Sequence, residues 1–188
     1  MLKTMVQMPV LATMLAMLCL TILPNAGLAA TAAELDKSAK EALQRFQAEV
    51  PGAKELLKRS AGELVFPKVY KAGFIVGGET GEGVLRAGNK TLDYYNISAA
   101  SYGLQIGAQS MTLIMLFLEQ TALDKFRAGS GWEVGNDLSV AVVDQGQAKS
   151  LSTATFDKPV VAFVLDEKGL MANMALEGTK FTKIKKDK

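Results

Sequence analysis

The first periodic stretch of the chain has apolar residues at steps of three and four positions. They fall on one face of a helix and comprise Leu35, Ala39, Ala42, Leu43, Phe46 and Val50. A charged pair at i,i+4 spacing, Glu41 with Arg45, lies outside that face. The pattern predicts an amphipathic helix that begins near Ala33 and ends before Pro51.

A second, shorter helix is predicted in the segment PGAKELLKRSAGEL, because proline is tolerated in the first turn of a helix. Its apolar residues suit packing on a protein core. The alternative is that Lys54, Lys58 and Arg59 turn this helix towards a membrane or a protein partner.

After Pro67 the period of the apolar residues changes towards two, which predicts strands separated by turns of Gly, Asn and Ser. The longest predicted strand runs from Ser101 to Leu118. It ends in MTLIMLFL, an unbroken apolar run that is typical of a strand buried on both faces. Further strands are predicted at Glu133 to Val143, Lys149 to Thr155, Pro159 to Leu165 and Leu170 to Leu176, the last two joined as a hairpin by DEKG.

One short internal helix is predicted at TALDKFRAG, with Thr121 and Asp124 as its capping pair and Gly129 at its end. Many short strands without alternating helices favour an antiparallel arrangement. We therefore predict an α+β fold: an antiparallel β-sheet with a barrel-like core, N-terminal helices and one short internal helix.

The segment KAGFIVGGETGEGVL concentrates glycines between Gly77 and Gly83. A phosphate-binding loop needs a different order of glycines followed by a helix, and Glu79 and Glu82 would repel a phosphate. We therefore predict a hairpin turn, with positive φ at Gly81 and a bend or a close backbone approach at Gly77 and Gly83.

The N-terminus has the order of a secretory signal peptide: Lys3, an apolar run from Val10 to Leu23, and then small residues. The apolar run is too short to span a bilayer as a helix. We predict a signal peptide over residues 1–29 and one domain over residues 30–188, with the mature chain starting near Ala30 or Ala33.

Export predicts a periplasmic location. A lipoprotein anchored through Cys19 is an alternative, but Leu18 stands where a lipobox has Gly, Ala or Ser. Secretion from the cell is a second alternative. The exported chain contains no cysteine once Cys19 is removed, so its fold depends on its core and not on disulfides.

The chain contains no histidine. This excludes Ser-His-Asp triads, imidazole bases and His-containing metal sites, and we predict no catalytic residues, no metal, no cofactor and no enzymatic activity. Removing Lys3 from the 21 basic residues leaves 20, against 19 acidic residues. A nearly neutral chain has no global field for nucleic acid, so no nucleic-acid partner is expected.

Five segments in order resemble the SYLF domain family: AGELVFPKVYKAGFIVGGETGEGVL, YYNISAASYGLQIGAQS, ALDKFRAG, WEVGNDLSVAV and KGLMANMALEGTKF. The resemblance covers Leu35 to Ile184. It implies a non-enzymatic lipid-binding module of a family found in bacterial exported proteins and in actin-associated and endosomal eukaryotic proteins. Eukaryotic members favour phosphoinositides, and yeast relatives also contact actin.

The resemblance places lipid contact on the N-terminal helix and nearby basic residues. Segment Glu34 to Arg59 holds six basic and five acidic residues. This near balance departs from a strongly basic membrane helix, so among anionic lipids we expect anionic phospholipid, or another envelope component, ahead of phosphoinositide-type headgroups as the ligand. The tail is a further candidate, with Phe181 and Ile184 against the apolar surface of a membrane. The predicted lipid-binding residues are Lys54, Lys58, Arg59, Lys68, Tyr70, Lys71, Lys180, Lys183, Lys185 and Lys186.

Two other functions remain open from the sequence. The first is a structural or protein-partner-binding role in the envelope. The second is a barrel that carries an apolar ligand lined by Met111, Met115, Met171 and Met174, although methionines at such positions are more typical of core packing.

Overall fold

The computed structural model describes a curled sheet in the form of a half-barrel and three helices. The described residues are 30–73, 76–102, 107–143, 156–166, 169–170 and 176–186. Their helices are α1 (Ala32–Glu49), α2 (Ala53–Arg59) and α3 (Gln120–Ala128). The α+β class with a helical N-terminus is thus confirmed.

The sheet has nine strands within the described ranges, in the order β5-β9-β3-β2-β1-β4-β7-β6, and β8 pairs with β7. All pairs between these strands are antiparallel except β6 with β7, which departs from the prediction. The strands are β1 (Gly62–Gly73), β2 (Val76–Ala87), β3 (Lys90–Tyr102), β4 (Gly107–Phe117), β5 (Gly131–Glu133), β6 (Val140–Val142), β7 (Val160–Asp166), β8 (Gly169–Leu170) and β9 (Lys180–Ile184).

The first N-terminal helix follows the sequence prediction closely, and the second follows it in part. Thr31 caps α1 in a reciprocal capping box with Glu34, and the helix ends before Pro51 as predicted. The start of α2 differs, because Gly52 in the left-handed region is its N-cap, so Pro51 lies outside the helix. The helix also stops at Arg59, and part of its predicted span belongs to β1.

The sheet separates two apolar clusters because successive side chains of a strand point to opposite faces. Val65 lies on the face that α1 and α2 cover, which we call the helix face. There Phe46 of α1 packs on Phe163 with ring centroids 4.7 Å apart. Leu64 lies on the other face, where α3 contributes Phe126 to the core; we call this the α3 face.

The apolar run of β4 is buried on both faces, as predicted, with every residue from Met111 to Phe117 buried. The predicted long strand from Ser101 is wrong, because Tyr102 ends β3 and Gly107 begins β4. The predicted strand from Glu133 is likewise divided into β5 and β6. Gly135, at a φ of 95°, lies between them.

The glycines between Gly77 and Gly83 do not form the predicted turn. They belong to β2, which pairs with β1 and β3 along its length. Gly81 is not among the residues with positive φ. Gly83 does lie at a close approach, but to a side chain and not to the predicted backbone, since a Cβ there would lie 2.5 Å from the ring of Phe66.

The predicted caps of α3 are half correct. Gly129 is its C-cap, and the indole of Trp132 donates a hydrogen bond of 2.9 Å to the Phe126 carbonyl in the last turn. The N-cap is Glu119 and not Thr121, whose hydroxyl donates instead to the Glu119 carboxylate. The predicted pairing of Thr121 with Asp124 is therefore wrong.

The hairpin between β7 and β8 is confirmed by the pairing of Asp166 with Gly169. Met111 and Met115 pack in the α3-face core, as the packing interpretation predicted. Several predicted features lie outside the described residues: the signal peptide over residues 1–29 with Cys19, the strand over residues 149–155, the turn residues Glu167 and Lys168, and Met171 and Met174.

Candidate functional site

An open groove of about 730 Å³ lies on the helix face, between α1 and the strands that extend past it. One wall is a flank of α1, and the floor is formed by β1 to β4. Its lining residues are Ala30, Leu35, Ser38, Glu41, Ala42, Arg45, Pro67, Lys68, Tyr70, Thr80, Gly81, Glu82, Asn96 and Thr112.

The floor of the groove is polar because the strands continue beyond the cover of α1. Tyr70, Thr80, Ser98 and Ser110 are cross-strand neighbours on one face and all are exposed. A register shift in β1 around Pro67 precedes this row, and the Thr112 hydroxyl donates to the Pro67 carbonyl at 2.9 Å. On the helix face, the bulge separates the buried Val65 from the exposed Lys68 and Tyr70.

Tyr70 and Lys68 stand together at the groove. The Tyr70 side chain is 53% exposed, and the Lys68 ammonium lies 6.0 Å from the centre of its ring. Among the described residues, no carboxylate forms an ion pair with Lys68. Lys71 points to the opposite face, where it pairs with Glu79 at 2.9 Å. The structure therefore joins two of these three predicted residues and separates the third.

The other charges of the groove are held by neighbours. The guanidinium of Arg45 contacts Glu49 at 2.7 Å and donates to the Asp166 carbonyl. The ammonium of Lys186 lies 2.6 Å from the Glu82 carboxylate and donates to the Ala30 carbonyl at 2.8 Å. Lys68 is thus the lining cation best placed to meet a ligand.

The tail lysines do not form the loose cluster that the sequence predicted. Residues Lys180–Ile184 are β9, and Phe181 is fully buried instead of available to a membrane. Lys180 pairs with Glu133 at 3.4 Å, and Lys183 pairs with Asp93 at 2.8 Å. Lys185 is exposed, and no ion pair involves it within the described residues.

The predicted cations of α2 stay on the surface. Lys54, Lys58 and Arg59 are exposed, and none of them lines the groove. Their helix is anchored to the helix face by Ala53 and Leu56, which are buried there. The α2 cations and the groove therefore belong to the same side of the sheet.

A buried ion pair lies apart from the groove, between β1 and β2. The Glu63 carboxylate is 3.7 Å from the Arg86 guanidinium, too far for a hydrogen bond, and the Glu63 residue is 6% exposed. Burial raises the pKa of Glu63 to about 7, although the Arg86 charge acts to lower it.

This raised pKa predicts a pH-dependent stability. The unfolded carboxyl ionises near 4.5 and the folded one near 7, so stability is full below pH 4.5 and falls as the pH rises to about 7. Between pH 4.5 and 7 the free energy of unfolding of the parent protein should fall by an amount on the order of 3 kcal/mol, and Glu63→Gln should abolish this fall. Urea unfolding of both proteins between pH 4.5 and 8 measures it, with exposed Glu55→Gln as control. A difference between variant and parent that does not change with pH would contradict the prediction.

No group of three or more side chains suited to hold a metal occurs in the described ranges. In those same ranges, no helix has the length and apolar character needed to cross a bilayer.

The fold and groove define an α+β protein whose sheet presents an aromatic ring and a cation beside its N-terminal helix. Residues 98–187 match a family model described as "Ysc84: Las17-binding protein actin regulator". The match confirms the resemblance to the SYLF family seen in the sequence, and that family is associated with lipid binding or actin regulation. No individual curated protein matches the chain significantly.

Sequence reasoning found Lys68 and Tyr70 but missed the rest of the groove. Arg45 was interpreted as part of a solvent-facing pair, Thr80 and Glu82 as residues of the predicted glycine turn, and Asn96 was not singled out. The alternation of polar residues along β2 and β3 is the signal that could have found the floor, once both were known to be adjacent strands.

Proposed function

We propose that this protein is a non-enzymatic module that binds lipid headgroups at the surface of a membrane in the bacterial envelope. The observation that carries the proposal is the exposed Tyr70 ring beside the Lys68 ammonium at an open groove. An aromatic ring with a polar tip suits the boundary between headgroups and acyl chains, and a lysine adds attraction to phosphate.

The cations of α2 strengthen the attraction to anionic lipid. Each cation near an anionic surface contributes about 1 kcal/mol, so several must act together. Lys54, Lys58 and Arg59 are exposed on the helix-face side of the sheet, the side that also carries Lys68. In the proposed orientation this side faces the membrane.

We expect the purified protein to co-sediment with vesicles that contain anionic phospholipid and to bind phosphatidylcholine vesicles poorly. The joint replacement of Lys54, Lys58 and Arg59 by Gln should weaken co-sedimentation severalfold at low salt, because screening already removes most of the attraction at high salt. Lys68→Gln should have a smaller effect in the same direction.

Lys125→Gln is the matched control for Lys68→Gln. Lys125 is also exposed, but α3 packs on the opposite face of the sheet. Equal losses for the two variants would mean that no face is preferred. The membrane proposal would be contradicted if co-sedimentation were the same with anionic and neutral vesicles and the same for the parent protein and the α2 variant.

A protein partner is the second candidate function, favoured by the description of the matching family as a Las17-binding protein and actin regulator. The same helix-face side would then meet a protein. Two results together would favour this function. The purified protein would fail to bind vesicles, and it would bind an envelope protein that the α2 variant does not bind.

We propose that the protein is exported. The contacts at the start of the domain support cleavage of the signal peptide after Ala29. Such cleavage keeps the Thr31 cap and the bond from Lys186 to the Ala30 carbonyl, whereas cleavage after Ala32 would remove both. We expect an unlipidated chain of 188 − 29 = 159 residues. Intact mass of protein from the envelope tests this, and an acylated mass that includes Cys19 would contradict it.

A further inference from the structure

We propose that the groove recognises a headgroup with both a phosphate and a primary ammonium, as in phosphatidylethanolamine. This inference rests on the proposed function, because it names the class of lipid for the same groove. It differs from binding by the α2 cations, which attract any anionic surface.

The charges that line the groove are of both signs. Its cations are Arg45 and Lys68, and its carboxylates are Glu41 and Glu82. Each carboxylate has one lysine near it, Lys186 at 2.6 Å from Glu82 and Lys37 at 4.0 Å from Glu41, and a ligand with phosphate alone would still be repelled by both. A ligand with both charges complements such a lining, because each end finds an opposite charge.

The position of the charges suits one short headgroup. Lys68 and Glu82 are register partners on β1 and β2, so their side chains leave the floor about 5 Å apart. A phosphate and an ammonium joined by an ethanolamine link have a comparable separation. The ligand phosphate would lie at Lys68 and its ammonium at Glu82.

Glu82 keeps the capacity to bind an ammonium although it has a partner already. Lys186 approaches one oxygen of the carboxylate, Oε1, from a site where the lysine side chain is only 9% exposed. The Glu82 side chain is 26% exposed and lines the groove. A carboxylate has lone pairs for several donors, so a second ammonium can share it.

Aromatic and polar groups complete the subsite. The ring of Tyr70 is 53% exposed, and the Lys68 ammonium lies 6.0 Å from its centre, so the ring stands beside the position proposed for the phosphate. The Asn96 amide donates to the Gly81 carbonyl at 3.1 Å, and this fixes its side chain in the lining beside Glu82. The amide oxygen is an acceptor for the ligand ammonium.

The test titrates the full purified protein with O-phosphoethanolamine, glycerol 3-phosphate and ethanolamine, and follows the ring signals of Tyr70 by nuclear magnetic resonance. We expect phosphoethanolamine to bind at least tenfold more tightly than either fragment, which carries one charge only. Lys68→Gln and Glu82→Gln should each weaken it severalfold, because these are the residues proposed to meet the phosphate and the ammonium. Lys40→Gln, an exposed change on α1 outside the lining, should leave it unchanged.

A vesicle experiment separates the lipid from the free headgroup. Phosphatidylethanolamine mixed into phosphatidylcholine should increase co-sedimentation, and Lys68→Gln should abolish the increase. Free phosphoethanolamine that binds without such an increase would overturn the lipid assignment.

Two results overturn the inference while the proposed function survives. One is glycerol 3-phosphate binding as tightly as phosphoethanolamine, which would make the groove a phosphate site. The other is no binding of phosphoethanolamine by a protein that still sediments with anionic vesicles through its α2 cations. Loss of both kinds of binding would overturn the inference and the proposed function together.

Discussion

Phe181→Ala is expected to lower the free energy of unfolding by about 3–5 kcal/mol, the usual cost of removing a buried aromatic ring. The side chain is 0% exposed. Its ring centroid lies 5.6 Å from that of Phe66 and 6.2 Å from that of Phe126, so the change leaves a cavity between β1, α3 and β9. Urea unfolding followed by circular dichroism measures the loss.

Lys185→Gln is the control for this change, because the residue is exposed in the same tail and should alter stability by less than about 0.5 kcal/mol. A loss below about 1 kcal/mol for Phe181→Ala would show that β9 does not dock in solution as described.

Gly81→Ala is expected to destabilise the protein by about 1–3 kcal/mol through overpacking. A Cβ at Gly81 would lie 2.6 Å from the Lys68 carbonyl oxygen and 3.1 Å from the Val69 Cα. Both are backbone atoms of the β1 bulge, so the neighbouring strand would have to move. The larger Gly81→Val should cost more.

Gly78→Ala is the matched control in the same strand, since its new Cβ would find only the Ala99 carbonyl, at an ordinary 3.8 Å. Alanine also restricts the unfolded chain more than glycine does, so this variant should be neutral or slightly more stable. Equal unfolding free energies for the two variants would show that the close approach of β1 does not explain why a glycine is needed at position 81.

Local patterns predicted the elements whose determinants are local. The helix of Leu35 to Val50 carries its own period and its own cap at Thr31, and the buried strand at Met111 is apolar without interruption. Both could be read from the sequence because each signal lies within a few residues of its effect.

The errors arose where the determinant comes from another strand. Gly81 and Gly83 were interpreted as turn residues, but they are small because the β1 bulge and Phe66 lie against β2. The lysines of β9 were interpreted as a free cluster, but Asp93 and Glu133, which pair with two of them, come from β3 and β5. No pattern within either segment contains that information.

The pairing of Lys186 with Ala30 also has a consequence for any fusion protein. The two residues are 156 positions apart in the chain, yet they are joined by one hydrogen bond, and Ala30 itself lines the groove. A tag attached at either end of the domain would therefore begin at the rim of the groove. A reporter fused there would occupy space beside the groove, whereas one inserted at the turn after Gly88 would lie away from it, beyond the far ends of β2 and β3.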